Sequence, residues 1–271
     1  MLRSLAIAFA MYSRIPVPQF DWEERDMRYV MAFFPLVGLV IGLGQMALLM
    51  LAGRSALPRF SLEIFLVLLP VLISGAIHLD GFMDASDAFH SYRGREEKVR
   101  ILKDPHTGAF AVLSLFCLLL LALAASAMLL EGAGRIGNAS GAGWIKPGGE
   151  RAVLSALAAI FWLARILSAF SVLTFPVMPG HGSLAAFSHA ADRRRVLGLL
   201  TGQLILVSLW ILWMGRGVGA LVLACAGACF SYYYRRAENA FGGINGDLAG
   251  WFVSYSEVAM ALAAGLIVFF Q

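Results

Sequence analysis

Seven apolar runs, each close to the length of a bilayer-crossing helix, decide what this chain can fold into. They cover residues 30–53, 60–79, 109–130, 152–174, 197–214, 218–234 and 249–270. A spanning helix takes about 20 mostly apolar residues. Inside lipid, every backbone amide must find its partner within the protein, which favours helices. Composition agrees: 60% of residues are hydrophobic and 14% charged, against about 45–50% and about 25% in an ordinary soluble domain. A water-soluble domain and an extensively disordered chain are both excluded. The expectation is all-α, a polytopic integral membrane helical bundle with about seven transmembrane helices, forming a single membrane-embedded domain over 1–271.

Runs five and six are short and separated only by Gly215-Arg216-Gly217, so they read as two spans or one hairpin. Met1–Tyr12 is apolar, but Arg14, Pro16 and Pro18 end it early, which makes it an N-terminal interfacial helix. No small-residue cleavage site follows it. Cys117, Cys225 and Cys229 all lie in apolar runs and read as packing residues rather than a disulfide framework or zinc site. No internal repeat is evident.

Basic residues orient the bundle. If the segment before residue 30 is cytoplasmic, one side collects Arg3, Arg14, Arg25, Arg28, Arg93, Arg95, Lys98, Arg100, Lys103, Arg193, Arg194, Arg195, Arg235 and Arg236. The other side receives Arg54, Arg59, Arg135, Lys146, Arg151 and Arg216, so the ratio is fourteen to six. Cytoplasmic loops carry such an excess, which places 80–108, 175–196 and 235–248 in the cytoplasm. The net charge of +4 is what those loops supply and does not call for nucleic acid.

The most informative stretch is His78-Leu-Asp-Gly-Phe-Met-Asp-Ala-Ser-Asp-Ala-Phe-His, at the end of the second run. Asp80, Asp84 and Asp87 stand at i, i+4 and i+7, within about 60° of one another on a helix face. Like charges at this spacing repel, more strongly near a low-dielectric membrane boundary. Oxygen-only ligands suit a hard divalent ion such as Mg²⁺. The alternative is a solvated acidic cap paired with Arg93, Arg95 and Lys98. His78 and His90 read as interfacial structural residues.

Two further polar clusters fall on the same side. In Lys103-Asp-Pro-His-Thr-Gly, Asp104 or Thr107 can cap the incoming helix, or Lys103 and the amides near Gly108 can meet phosphate. In Phe241-Gly-Gly-Ile-Asn-Gly-Asp, Asp247 adds a carboxylate, while Asn245 or Asp247 can cap the last helix. Within the spans, Arg165 and Glu257 are costly unless paired or liganded. They read either as partners of each other or as substrate-facing residues.

At these residues the chain resembles the cobalamin synthase family, the adenosylcobinamide-GDP ribazoletransferases. The resemblance starts at Ser13-Arg-Ile-Pro-Val-Pro and Phe34-Pro-Leu-Val-Gly, and runs through the acidic and Lys103 motifs. It ends in Gly242-Gly-Ile-Asn-Gly-Asp and Ser256-Glu257. Asn245 departs from a Thr common in relatives, and Ala85-Ser86 from Thr-Ala. The resemblance implies a Mg²⁺-dependent phosphotransferase-type enzyme of the bacterial or archaeal cytoplasmic membrane, its site facing the cytoplasm. It would join adenosylcobinamide-GDP to α-ribazole, or its 5′-phosphate, with release of GMP. On that expectation Asp80, Asp84, Asp87 and Asp247 hold metal, and Asp87 or Asp104 takes the proton of the attacking hydroxyl. Arg93, Arg95, Lys103, Gly108, Arg165, Asn245 and Glu257 would bind substrate. The partners are the two substrates and the lipid bilayer, with a homo-oligomer left open.

Two other classes compete for the same residues. A CDP-alcohol phosphotransferase-like lipid enzyme has an Asp-Gly-x-x-Ala-Arg signature, and here Asp80-Gly is followed by Phe-Met-Asp-Ala-Ser. An ion-coupled secondary transporter would show repeats and midplane acids, whereas these acids cluster at an interface.

Overall fold

The computed structural model describes residues 1–18, 20–52, 57–138, 147–178 and 190–270. Among them are nine α-helices, one short 3-10 helix and no strand. The helices are α1 (Leu2–Tyr12), α2 (Val30–Ala52), α3 (Arg59–Ser74), α4 (Ile77–His90), α5 (Arg95–Ile101), α6 (Ala109–Asn138), α7 (Pro147–Thr174), α8 (Arg193–Phe241) and α9 (Gly246–Phe270). Five stretches are long and apolar enough to cross a membrane, or six when α3 and α4 count as one bent span.

The centre of the bundle is α7, whose spanning stretch is 89% buried. Its neighbour α2 reaches it through glycine. A Cβ at Gly38 would overlap the carbonyl oxygen of Phe161, and one at Gly42 would lie 2.5 Å from that of Ala158. Lipid offers no hydrophobic drive between helices, so close backbone approach over small residues supplies the contact. Gly38-x-x-x-Gly42 is that surface.

The 60–79 run is not one straight span. Helix α3 stops at Ser74, Gly75 and Ala76 both take left-handed conformations with φ of 68° and 66°, and α4 leaves at 96°. Sixteen residues make a rod of about 24 Å, short of the roughly 30 Å hydrocarbon layer. The backbone N–H of Arg14 donates to the Ile73 carbonyl at 2.7 Å, and the Arg14 side chain covers Gly75. The expected span is thus cut by a left-handed pair, and α4 lies across the bundle end as a boundary helix.

The 49-residue α8 is also broken, at Arg216, where φ is 40° and ψ −110°. A Cβ at Gly219 would overlap the carbonyl of Ile211, eight residues earlier, which a straight helix would hold about 12 Å away. The chain therefore doubles back into arms 193–215 and 217–241. With these arms counted separately and α3–α4 counted as one bent span, the seven apolar runs are all accounted for. Helix α1, with 11 residues, is too short to cross; it packs Ile7 and Ala8 into the core while Arg3 pairs with Asp26 at 3.3 Å.

Segments grouped by charge meet at one end of the bundle. Val177 bridges Ile244, Asp192 N–H donates to the Arg28 carbonyl at 3.2 Å, and α4 packs on α6 and α9. The 179–189 stretch, with His181, lies outside the described residues, as does 139–146.

Gly42→Ala pushes a methyl into the α7 backbone and is expected to cost about 1–3 kcal/mol. Gly202, with open space around it, should accept Ala without loss. Thermal unfolding of the two variants in one detergent checks the contrast.

Candidate active site at the end of the bundle

Three carboxylates of α4 and one of α9 form the site. Glycine again sets the approach: a Cβ at Gly81 would lie 2.8 Å from the Asp247 backbone, and one at Gly250 would lie 3.1 Å from the His78 carbonyl. This crossing brings Asp84 beside Asp247. Asp80 is exposed, while Asp84, Asp87 and Asp247 are half-buried. Burial, and then the charges of Asp247, Asp80 and Asp87, push the Asp84 carboxyl up to about 6.

Each of the others has a local task. Asn245 donates from Nδ2 to Asp247 Oδ2 at 2.7 Å, and its Oδ1 accepts the Leu248 amide at 2.9 Å. Asn245 thus caps α9 and aims Asp247. Asp87 Oδ1 accepts the Ala111 amide at 3.3 Å, so α4 caps α6 from outside. A Cβ at Gly108 would overlap both Asp87 oxygens, which explains a residue without a side chain there. Capping by Asp104 or Thr107 is not what the structure shows. Helix α6 begins at Ala109, too late for either, and Asp104 Oδ1 instead accepts the His106 amide at 3.0 Å and pairs with its Nδ1 at 2.7 Å. Those bonds hold the exposed Asp104 carboxyl below the ordinary carboxylate range.

No ion pair found among the described residues involves Asp80, Asp84 or Asp87. The pairing with Arg93, Arg95 and Lys98 that a solvated cap would use is not formed among the described residues. Arg95 donates to the Glu238 carbonyl at 3.0 Å and lies over Gly242, closing the C-terminus of α8. Arg93 and Lys103 are exposed. The donor set is all carboxylate oxygen, the chemistry that suits a hard cation. Among the described residues, however, no three His, Cys, Asp or Glu side chains converge closely enough to hold a metal ion. Asp87 is turned to α6.

Arg165 and Glu257 are elsewhere. Arg165, 1% exposed, pairs through Nη1 with Glu257 and donates to the Phe161 carbonyl at 3.1 Å. The structure realises their mutual pairing in the bundle core rather than bringing them into the acidic cluster. His90 is structural, its Nδ1 2.7 Å from the Ser86 carbonyl and its ring stacked on Phe110. The glycines at 81 and 250 went unread in the sequence. A single glycine within a helix carries no local signal, and only the crossing of α4 on α9 gives the two their task.

Fold and site together define a polytopic helical membrane protein with an acidic centre at one end of its bundle. Comparison with known proteins narrows this. The chain belongs to the CobS family, cobalamin-5-phosphate synthase, whose family model matches residues 4–265. It is 34% identical to an adenosylcobinamide-GDP ribazoletransferase of Lachnoclostridium phytofermentans, over 99% of this chain and 97% of that protein. It is 28% identical to one of Clostridium perfringens, over 98% of each chain, and 30% identical to one of a Geobacillus species, over 90% and 87%. No solved structure matches.

Gly108→Ala drives a methyl into the Asp87 carboxylate. It is expected to lower turnover about a hundredfold, the scale set by an ångström of misplacement, with folding retained by circular dichroism. Because the Asp84 carboxyl is raised in the fold, its ionisation opposes folding. That penalty is absent at low pH and complete above about 6. In chelator, Asp84→Asn should therefore raise the unfolding temperature at pH 8 and change it less at pH 4.5.

Proposed function

We propose that the chain joins adenosylcobinamide-GDP to α-ribazole, or its 5′-phosphate, releasing GMP. The observation that carries this is the near-full-length likeness to proteins named for that transfer. The end-of-bundle carboxylates support it, because moving a phosphoryl group with GMP leaving calls for neutralised diphosphate oxygens and an in-line hydroxyl.

Asp80 and Asp84, with Asp247 and Asp87 beside them, are the residues that would hold Mg²⁺. When bound, the ion supplies positive charge to the diphosphate oxygens. The ribazole hydroxyl oxygen attacks the phosphorus attached to the corrinoid, its proton passes to a carboxylate, and the bond to the GMP oxygen breaks. Asp87 is the better acceptor, since the bonds from His106 keep Asp104 the weaker base. Arg93 and Lys103 are free to meet phosphate oxygens, whereas Arg95 is committed to closing α8. The fourteen-to-six distribution of basic residues favours a cytoplasmic-membrane protein with this end toward the cytoplasm.

The test is GMP release from adenosylcobinamide-GDP plus α-ribazole by the full chain in lipid nanodiscs. One GMP should appear per cobalamin formed. Chelator should abolish the reaction and added Mg²⁺ restore it, with Asp84→Asn folded but inactive. Undiminished turnover in chelator would refute the metal role, and no GMP from either ribazole form would refute the reaction.

A further inference from the structure

The break between α3 and α4 opens a pocket of about 470 Å³ against the segment that leaves α1. Its polar lining is Ser13, Arg14, Ser74 and Asp80, beside the left-handed Gly75-Ala76 pair. Asp80 also belongs to the acidic stripe, so the pocket adjoins the centre described above. Arg14 is its single cation and Asp80 its single anion. Among the described residues no ion pair joins the two, or either of them to another group. A guanidinium and a carboxylate that share one open space unpaired suit a ligand carrying both signs of charge, such as a metal-bound phosphate.

The mounting of Arg14 points the same way. Its amide donates to the Ile73 carbonyl at 2.7 Å. On one side of it, Ser13 Oγ donates to the Phe9 carbonyl at 2.7 Å and accepts the Ile15 amide at 3.3 Å. The backbone is thus tied to both α1 and α3. Gly75 makes room for the side chain, since a Cβ there would lie 2.9 Å from Arg14 Cγ and 3.0 Å from its Nε. An arginine that served only to orient the bundle needs none of this, because the positive-inside bias counts charge and not geometry. A planar guanidinium held in place is the donor that phosphate oxygens match, through two parallel bonds.

We infer that this pocket is a phosphate subsite, in which Arg14 donates to an oxygen of a diphosphate whose cation is held at Asp80. The inference rests on the metal-binding role proposed above for Asp80 and adds a residue to that site. Asp80 and Asp87 stand about 10 Å apart along α4. Arg14 adjoins the first carboxylate of this stripe, and Arg93 follows the last. A diphosphate laid along the stripe therefore meets a donor at its Asp80 end. Ser13 and Ser74 supply hydroxyls to the same space.

The experiment is titration of inorganic pyrophosphate with Mg²⁺ into the full chain in phosphatidylcholine nanodiscs, followed by calorimetry, alongside steady-state kinetics. Arg14→Met keeps a stem over Gly75 and removes the donors. Ile77→Glu, at an exposed residue of the pocket lining, sets a negative charge beside the phosphate. Both are expected to weaken pyrophosphate binding about tenfold or more, the scale of one hydrogen bond to a charged group. Arg14→Lys should recover part of the loss, since it keeps the charge without the fork. Arg14→Met should also raise the KM for adenosylcobinamide-GDP by a similar factor, with that for unphosphorylated α-ribazole held within about twofold. Wild-type pyrophosphate affinity in Arg14→Met overturns the assignment. So does a loss that accompanies a lowered unfolding temperature and that Arg14→Lys does not recover, or a rise confined to the KM for α-ribazole 5′-phosphate. Native mass spectrometry showing a phospholipid that pyrophosphate does not displace and that Arg14→Met releases also overturns it. GMP release with pyrophosphate binding independent of Arg14 sinks this inference alone. Arg14-dependent pyrophosphate binding without GMP release sinks the proposed reaction and leaves the subsite standing.

Discussion

A guanidinium in the middle of a membrane bundle dictates what surrounds it. Arg165 on α7 is almost wholly buried, and a charge at that depth costs at least about 2.5 kcal/mol unless it is paired. The neighbours are arranged accordingly. Helix α2 presents Gly38, whose absent Cβ leaves room for the Arg165 stem as well as the Phe161 carbonyl. Helix α9 presents Glu257. Once α9 is set by that pair, its first turn carries Asp247 and Gly250 to the bundle end, where Gly81 of α4 rests on them. The acidic centre is thus placed from the core outward, through two helix crossings that only glycine permits.

The all-α bundle was legible because lipid allows so few solutions. Apolar runs of spanning length must be helices, and charge counting alone grouped the loops that meet at one end. The hairpin at Gly215-Arg216-Gly217 was legible from its punctuation. The break in the 60–79 run was not: Gly75-Ala76 between Ser74 and Ile77 looks like any small-residue patch in a span. Its left-handed geometry depends on Arg14 arriving from another segment.

At the site, the stripe of Asp80, Asp84 and Asp87 was readable from helical spacing, and the pairing of Arg165 with Glu257 was one of two open readings. The task of Asp87 toward α6 was hidden, since a cap donated by a different helix has no local pattern. Gln45 is hidden within an apolar run, and His78 reads from the sequence as a structural ring. Both are structural, with Gln45 Nε2 donating to the Leu66 carbonyl at 2.7 Å and His78 packed on Tyr12 and Phe34.

The reversal at Arg216 has a bearing on biogenesis. The doubled-back α8 begins and ends at the acidic end, its two arms joined by a turn so tight that Gly219 lies on Ile211. Neither arm can be left behind while the other enters the bilayer, so they partition from the translocon as a pair. That pair returns Gly242 and Asn245 to the acidic end of the bundle. The last carboxylate of the centre is therefore installed only after nine-tenths of the polypeptide has emerged, and the acidic cluster stays incomplete until the final helix docks.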